Sequence, residues 1–392
     1  MRERLMLSRR DFVRMTGCMS LGAMSLRSPS LIRTGERLPR FAYVGHTGCF
    51  QDGSGCGIGV FAVDREGWRQ TGLVASHSPS FLTLHPNERF LYAIHEVDRY
   101  ENLPTGIAEA FSIDERDGSL TLLNRQPMSL SATSPRHAAV SPDGGSLVVA
   151  VHGGGMYNVL PVEADGRLGR VSGILKETGS GPLEAHQESA HPQMVVFDGT
   201  GRRVVGADLG SDRLSVFTLD EGGLAVTQRR EVVAGSGPRQ MEFHPRGHLL
   251  FVANGLEGSV SCYGYDVAQG TISGLKQHVF LHRDRGVAEE SNVVMAMHPS
   301  GRFLYTSRPE SGEGIAVWGI DAETGALRAV SFESSAPVHA MTVAADGGSL
   351  LAVSRAGGGV VRWRVDPVGG RLSEPVSMAA MQTPMSLAVK YL

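Results

Sequence analysis

Apolar and polar positions alternate in short runs along most of the chain, and the runs come in pairs. "RFLYAIHE" is followed by "GIAEAFSID", "RRVVGADLG" by "DRLSVFTLD", and "RFLYTSRPE" by "GIAVWGID". A period of two marks a strand with one face toward a core. The pairing recurs seven times, the other four being "FAYVGHTG" with "GIGVFAVD", "SLVVAVHGGG" with "MYNVLPVE", "LLFVANGLEG" with "SVSCYGYD", and "SLLAVSRAGG" with "GVVRWRVD". Each second strand ends near an acidic residue, and a turn with a further strand follows, as in "GSLTLLNRQ" and "GALRAVSF".

Ahead of these pairs stands another strand closed by a turn: "SFLTLHPNE", "HAAVSPDGG", "MVVFDGTG", "MEFHPRGH", "MAMHPSGR" and "MTVAADGG". The turns fall at Pro86, Pro142, Gly199, Pro245, Pro299 and Ala345, 46 to 57 residues apart. Four short strands per unit, repeated at that interval, predict an all-β fold: a seven-bladed β-propeller of four-stranded antiparallel blades. The seventh inner strand stands at the end of the chain, where "TPMSLAVKYL" lines up with "SPRHAAVSPDG". The C-terminal strand is therefore expected to pair with the N-terminal "FAYVG" strand in one blade, closing the ring and removing free sheet edges. One domain, residues 40–392, is expected, preceded by a separate segment, residues 1–39.

Composition fits this picture. The 392 residues include 50 Gly and 19 Pro, which suits many turns. The formal net charge of −3 supplies no basic field for nucleic acid. No apolar run reaches the roughly 18–20 residues of a transmembrane helix. "SRRDFVRMTG", followed by a modest apolar stretch and small residues, reads as a twin-arginine export signal, so a periplasmic or cell-envelope location is expected. In such a compartment Cys49 and Cys56, which flank a Gly-rich loop, are a possible disulfide, while Cys262 lies in an apolar strand and reads as a buried small hydrophobe.

In a propeller the inner strands border a central channel and their entry residues ring one mouth. Counting back from each turn gives Pro79-Ser80-Phe81, Pro135-Arg136-His137, Pro192-Gln193-Met194, Pro238-Arg239-Gln240, Asn292-Val293-Val294, Val338-His339-Ala340 and Pro384-Met385-Ser386. The loops after the second strands add His46, Glu96, His152, Asp208, Asn254, Arg308 and Arg355. His, Arg and carboxylate groups above apolar walls make a reasonable small-molecule site. His137, Arg239 and His191 converge there; Asp208 is equally a turn-capping residue of "DLGSD".

"SPRHAAVSPDG", "VHGGG", "HPQMVVFDGTGRRVVGADLGSDRLSVF" and "GSGPRQMEFHPRGHLLFVAN" resemble the seven-bladed propeller lactonases, the group of the propeller-type 6-phosphogluconolactonases and the fungal carboxymuconate lactonising enzymes. The resemblance implies hydrolysis of a small lactone by water at the mouth. It implies His137 or Glu96 as general base, and Arg239 as the group stabilising the oxyanion or orienting an anionic substrate, helped by Arg308. His191, Asp208, Gln187 and Gln193 fall at the family's remaining substrate-binding positions. Several family residues are changed: Gln240 and Gln193 each replace a histidine, His186 an arginine, Val294 a glutamate, and His339-Ala340 an Arg-Asp pair. These changes remove charge that would hold a phosphate or carboxylate, which favours an unphosphorylated lactone. No metal or other cofactor is expected; the alternative at these residues is a zinc site of three imidazoles, His137, His186 and His191. The ring needs no partner for its core, so a monomer is expected. The alternative is a non-catalytic exported propeller that binds a ligand or protein.

Overall fold

The computed structural model describes residues 39–47, 57–64, 67–220, 223–281, 293–308, 314–354, 357–381 and 383–391. The segment read above as an export signal, and Cys49, Cys56, Asn292 and Arg355, lie outside the described residues. Among the described residues, twenty-eight strands form seven four-stranded antiparallel sheets arranged as a seven-bladed β-propeller. The inner strands are Pro384–Tyr391 of blade one, then Pro79–Leu84, Pro135–Val140, Pro192–Phe197, Pro238–Phe243, Val294–Met297 and Ala340–Val343 of blades two to seven. Blade one is built from both ends of the described chain: Pro384–Tyr391 pairs with Pro39–His46, Ala42 opposite Val389 and Val44 opposite Leu387. Lys390 Nζ adds a bond to the Glu88 carbonyl of blade two, 2.7 Å away.

The core is divided into seven apolar clusters, one at each seam between neighbouring blades. This explains why the second strands read as nearly continuous apolar runs. In "FAYV", Phe41 and Tyr43 enter the seam with blade two, while Ala42 and Val44 enter the seam with blade seven. A strand covered on both faces has no reason to alternate with polar residues.

Two repeated devices join the blades. Where the second strand carries Phe-x-Tyr, the tyrosine hydroxyl donates to a glycine carbonyl in the next blade: Tyr43 to Gly118 at 3.0 Å, Tyr92 to Gly166 at 3.2 Å, and Tyr305 to Gly370 at 3.0 Å. Gly118 has φ 74°, and a side chain there would collide with the Phe41 ring, so the turn needs glycine twice over. Where the inner-strand turn is His-Pro, His85, His244 and His298 each reach a glycine carbonyl of the following blade at 3.0–3.1 Å through Nε2. Their Nδ1 atoms accept backbone N–H bonds from Asn87, Arg246 and Ser300. The imidazole must therefore be neutral with its proton on Nε2. Burial accordingly holds His244 and His298 below the ordinary histidine range.

Candidate functional site

The inner strands enter the sheet with a defect that shapes the mouth. Pro79 pairs with His95 while Phe81 pairs with Ile94, so Ser80 is an extra residue. The same shift leaves Arg136, Gln193 and Arg239 unpaired in blades three, four and five, and Met385 in blade one. A bulge breaks the period of two and turns two consecutive side chains to the same side. Both members of each pair, such as Arg136 with His137 or Arg239 with Gln240, consequently line one cavity of about 260 Å³. Glu96, Gln193, Met194, Val293, Val294 and His339 line it as well.

Its polar groups are not equivalent. Arg136 Nη1 holds Glu96 Oε1 at 2.5 Å, both side chains being roughly a quarter to a third exposed. His137 packs on Phe81 with ring centroids 4.1 Å apart, and its Nδ1 is buried without a hydrogen-bond partner. Burial pushes its imidazole down to about 3, because a desolvated ring resists protonation. Gln240 is spent on the fold: its amide donates to Met295 O at 2.8 Å and accepts from Met295 N–H at 2.9 Å, bridging blades five and six.

A second group stands beside the cavity, on the long approach to the fourth inner strand. A single helical turn, Glu184–Gln187, precedes it. The strand begins at Pro192, with the bulge inside it. Gln193 lines the cavity and its amide donates to His152 Nδ1 at 2.7 Å. The His152 ring stacks on His191, centroids 4.3 Å apart and planes 17° apart. Burial, then the charges of Arg136, His191 and Arg239, lower the His152 imidazole to about 3. His191 Nδ1 donates to the His152 carbonyl at 3.2 Å and Nε2 faces Glu188 Oε1 at 3.0 Å.

Asp208 and Gln187, assigned to substrate binding by resemblance, are hydrogen-bonded to backbone. Asp208 is 1% exposed, and its Oδ1 accepts from the N–H groups of His191, Gly210 and Ser211 at 2.7–3.2 Å. Burial raises its carboxyl above the ordinary aspartate range despite those bonds. Gln187 is fully buried, donating to Leu209 O and accepting from Leu183 N–H. Gly210 completes "DLG", since a methyl group there would overlap the Ser189 carbonyl oxygen and crowd His191. Arg308 lies against Gly258 of blade five and is not among the cavity residues.

Of the residues singled out from sequence, the fold thus brings Glu96, His137, Gln193 and Arg239 to one cavity, with His191 behind Gln193 through His152. Arg136 and His152 were visible as ring positions but carried no assigned role. The signal for Arg136 was its place at a strand entry, which only the bulge makes meaningful, and that for His152 its place in the loop after a second strand. Among the described residues, no group of three or more His, Cys, Asp or Glu side chains is arranged to hold a metal ion. None of the helices among them is long and apolar enough to cross a membrane.

A closed seven-bladed ring with one polar mouth is the architecture of the propeller lactonases. The match to the family described as "Lactonase, 7-bladed beta-propeller" runs over residues 42–389, and the chain belongs to that family. A 6-phosphogluconolactonase of Bacillus subtilis is 28% identical over 356 residues, covering 89% of this chain and 98% of that protein. Among solved structures, a putative 6-phosphogluconolactonase from Bacteroides fragilis superposes with a TM-score of 0.79 at 23% identity, over 93% of this chain and 100% of that one. A periplasmic gluconolactonase from Pseudomonas aeruginosa gives 0.78 at 22% identity, over 89% and 98%.

Proposed function

We propose that this propeller hydrolyses a small lactone at its mouth. The observation that supports this reading is the gathering of Glu96, Arg136, His137, Gln193 and Arg239 around one cavity of about 260 Å³. That is just below the usual range for ligand pockets and suits a small molecule. In this reading the lactone carbonyl faces Arg239, whose guanidinium stabilises the oxyanion as water adds. Either Glu96 or the neutral His137 takes the proton from that water. Gln193, oriented by His152 and backed by His191, positions the ester. The products are the open hydroxy acid and no other group, so the step needs no cofactor. We read the protein as an exported monomer, on the paired Arg9 and Arg10 and on the self-contained ring.

The test is proton release from a lactone panel, with Arg239→Ala and His137→Ala as controls. Loss of an oxyanion donor is expected to lower kcat by about 10²–10³. Loss of the proton acceptor is expected to lower it by about 10²–10⁴. Parent-like rates in both variants would remove the assignment. Binding of a lactone without turnover would favour the ligand-binding alternative.

A further inference from the structure

The mouth has two chemically different arcs. Blades two to five supply Glu96, Arg136, His137, Gln193 and Arg239, with Phe81 and Met194 as the apolar members of that arc. On the opposite arc, blades six, seven and one supply Val293, Val294, Ala340, Met341, Met385 and Leu387. Among the described residues, the polar side chains lining that second arc are His339 and Ser386. Gln240, at the junction, has both ends of its amide bonded to the Met295 backbone and offers little to a ligand. Arg136 is paired with Glu96 through Nη1, and its Nε–H has no partner.

This division constrains what the cavity can hold. An ester placed on the polar arc directs the rest of its ring and substituent across the channel onto valine, leucine and methionine. Among the described residues that arc offers only the His339 and Ser386 side chains for pairing, so a molecule with a hydroxyl on every carbon would press several hydroxyls against apolar groups, and those would lose their water without replacement. An apolar substituent in the same place would gain from leaving water, and the two methionines adapt their shape to it.

We propose that the substrate is an amphiphilic lactone, an alkyl- or aryl-substituted γ- or δ-lactone, with its ester on the arc of blades two to five and its substituent on the arc of blades six, seven and one. This rests on the lactone-hydrolysis reading and narrows it. The substituent is short, because about 260 Å³ must hold the ring as well.

The experiment compares kcat/KM of the purified protein for δ-valerolactone, δ-hexalactone and δ-octalactone with that for gluconolactone and 6-phosphogluconolactone. Affinity for the same compounds is measured by calorimetry. Each added methylene is expected to raise kcat/KM by up to about fourfold, from about 0.8 kcal/mol per buried CH₂ and 1.4 kcal/mol per tenfold, until the cavity is full. The octalactone is expected to exceed both sugar lactones. Met385→Gln should reduce the octalactone-to-valerolactone ratio by about tenfold, whereas Met385→Leu should keep it, which separates lost apolar contact from a damaged fold. A flat series, or a preference for either sugar lactone, overturns the inference while leaving hydrolysis standing. If no lactone is turned over, the hydrolysis reading fails, and the calorimetric series then decides alone. Tighter binding with chain length sustains the two-arc assignment, and its absence overturns it.

Discussion

His137 and Glu242 show how far one residue's chemistry depends on its neighbours. His137 has Phe81 against its ring and no partner at Nδ1, so burial lowers it to about 3. If it is the proton acceptor, it stays unprotonated down to that pH, while being a weaker base than an ordinary histidine. The acid limb of kcat/KM should then lie far below the ordinary histidine value of 6.5. A pH–rate profile with an acid limb at 6–7 would exclude His137 in its present surroundings. Glu242 stands two residues beyond Gln240 on the fifth inner strand, where the other blades place Thr83, Ala139, Val196, Ala296, Thr342 and Ala388. Burial alone pushes its carboxyl from 4.5 up to about 7. Between those values the folded chain keeps a proton that the unfolded chain releases, so stability falls as pH rises through the window and is level above it. Glu242→Gln removes this dependence. Its melting temperature should match the parent's near pH 4.5 and exceed it at pH 8, where the difference is on the order of 3 kcal/mol at most. Equal melting curves at pH 8 would show that the carboxyl is solvated in the channel. The glutamate was plain in the sequence, but its isolation was not, because period-two reading does not say which groups the other six blades place around it.

At the scale of the element, the strand entries and turns do most to position the site. Asp208 ties the approach segment to the "DLG" turn with three N–H bonds to one oxygen. Asp208→Ala strips the acceptor from buried donors and should cost about 3 kcal/mol in urea unfolding, with His191 released from its stack. A loss under about 0.5 kcal/mol would mean that the turn holds itself. The His-Pro turns carry the opposite pH sign to Glu242. His244 and His298 are held below their ordinary 6.5 by burial, so their contribution is fully present above that pH and fades as acid protonates Nδ1. His298→Asn keeps a side-chain acceptor for the turn without a titrating ring, and should therefore lose less stability than the parent between pH 7 and 5, read by thermal melts. The turn prolines and the capping aspartate were legible from residue type and spacing. The bulges were not: Pro-Arg-His and Pro-Gln-Met look like ordinary strand starts, and the extra residue arises from pairing with the second strand.

For the whole molecule, closure is the controlling interaction. The last inner strand joins the first described strand over seven register pairs, and its apolar residues fill seams with blades seven and two. Removing residues 384–392 would open blade one, expose Val44 and Tyr43, and leave an unpaired edge inside the channel. The truncated chain is expected to lose cooperative unfolding and to aggregate, checked by thermal melting and light scattering. A soluble chain with parent-like melting would show that six complete blades and a partial one suffice.

The sequence alone determined the blade count, the strand order and the closing pair, because repetition and apolar runs are local properties that survive without coordinates. It also named the residues able to reach the mouth, since strand entries follow from turn positions. Only the tertiary structure decided which of them line the cavity. Bulges turned Arg136 and Arg239 inward beside His137 and Gln240, backbone donors claimed Asp208 and Gln187, and Met295 claimed Gln240. The division of the mouth into a polar and an apolar arc has the same origin. Its members come from strands far apart in the chain, and they become neighbours only when seven blades close around one channel.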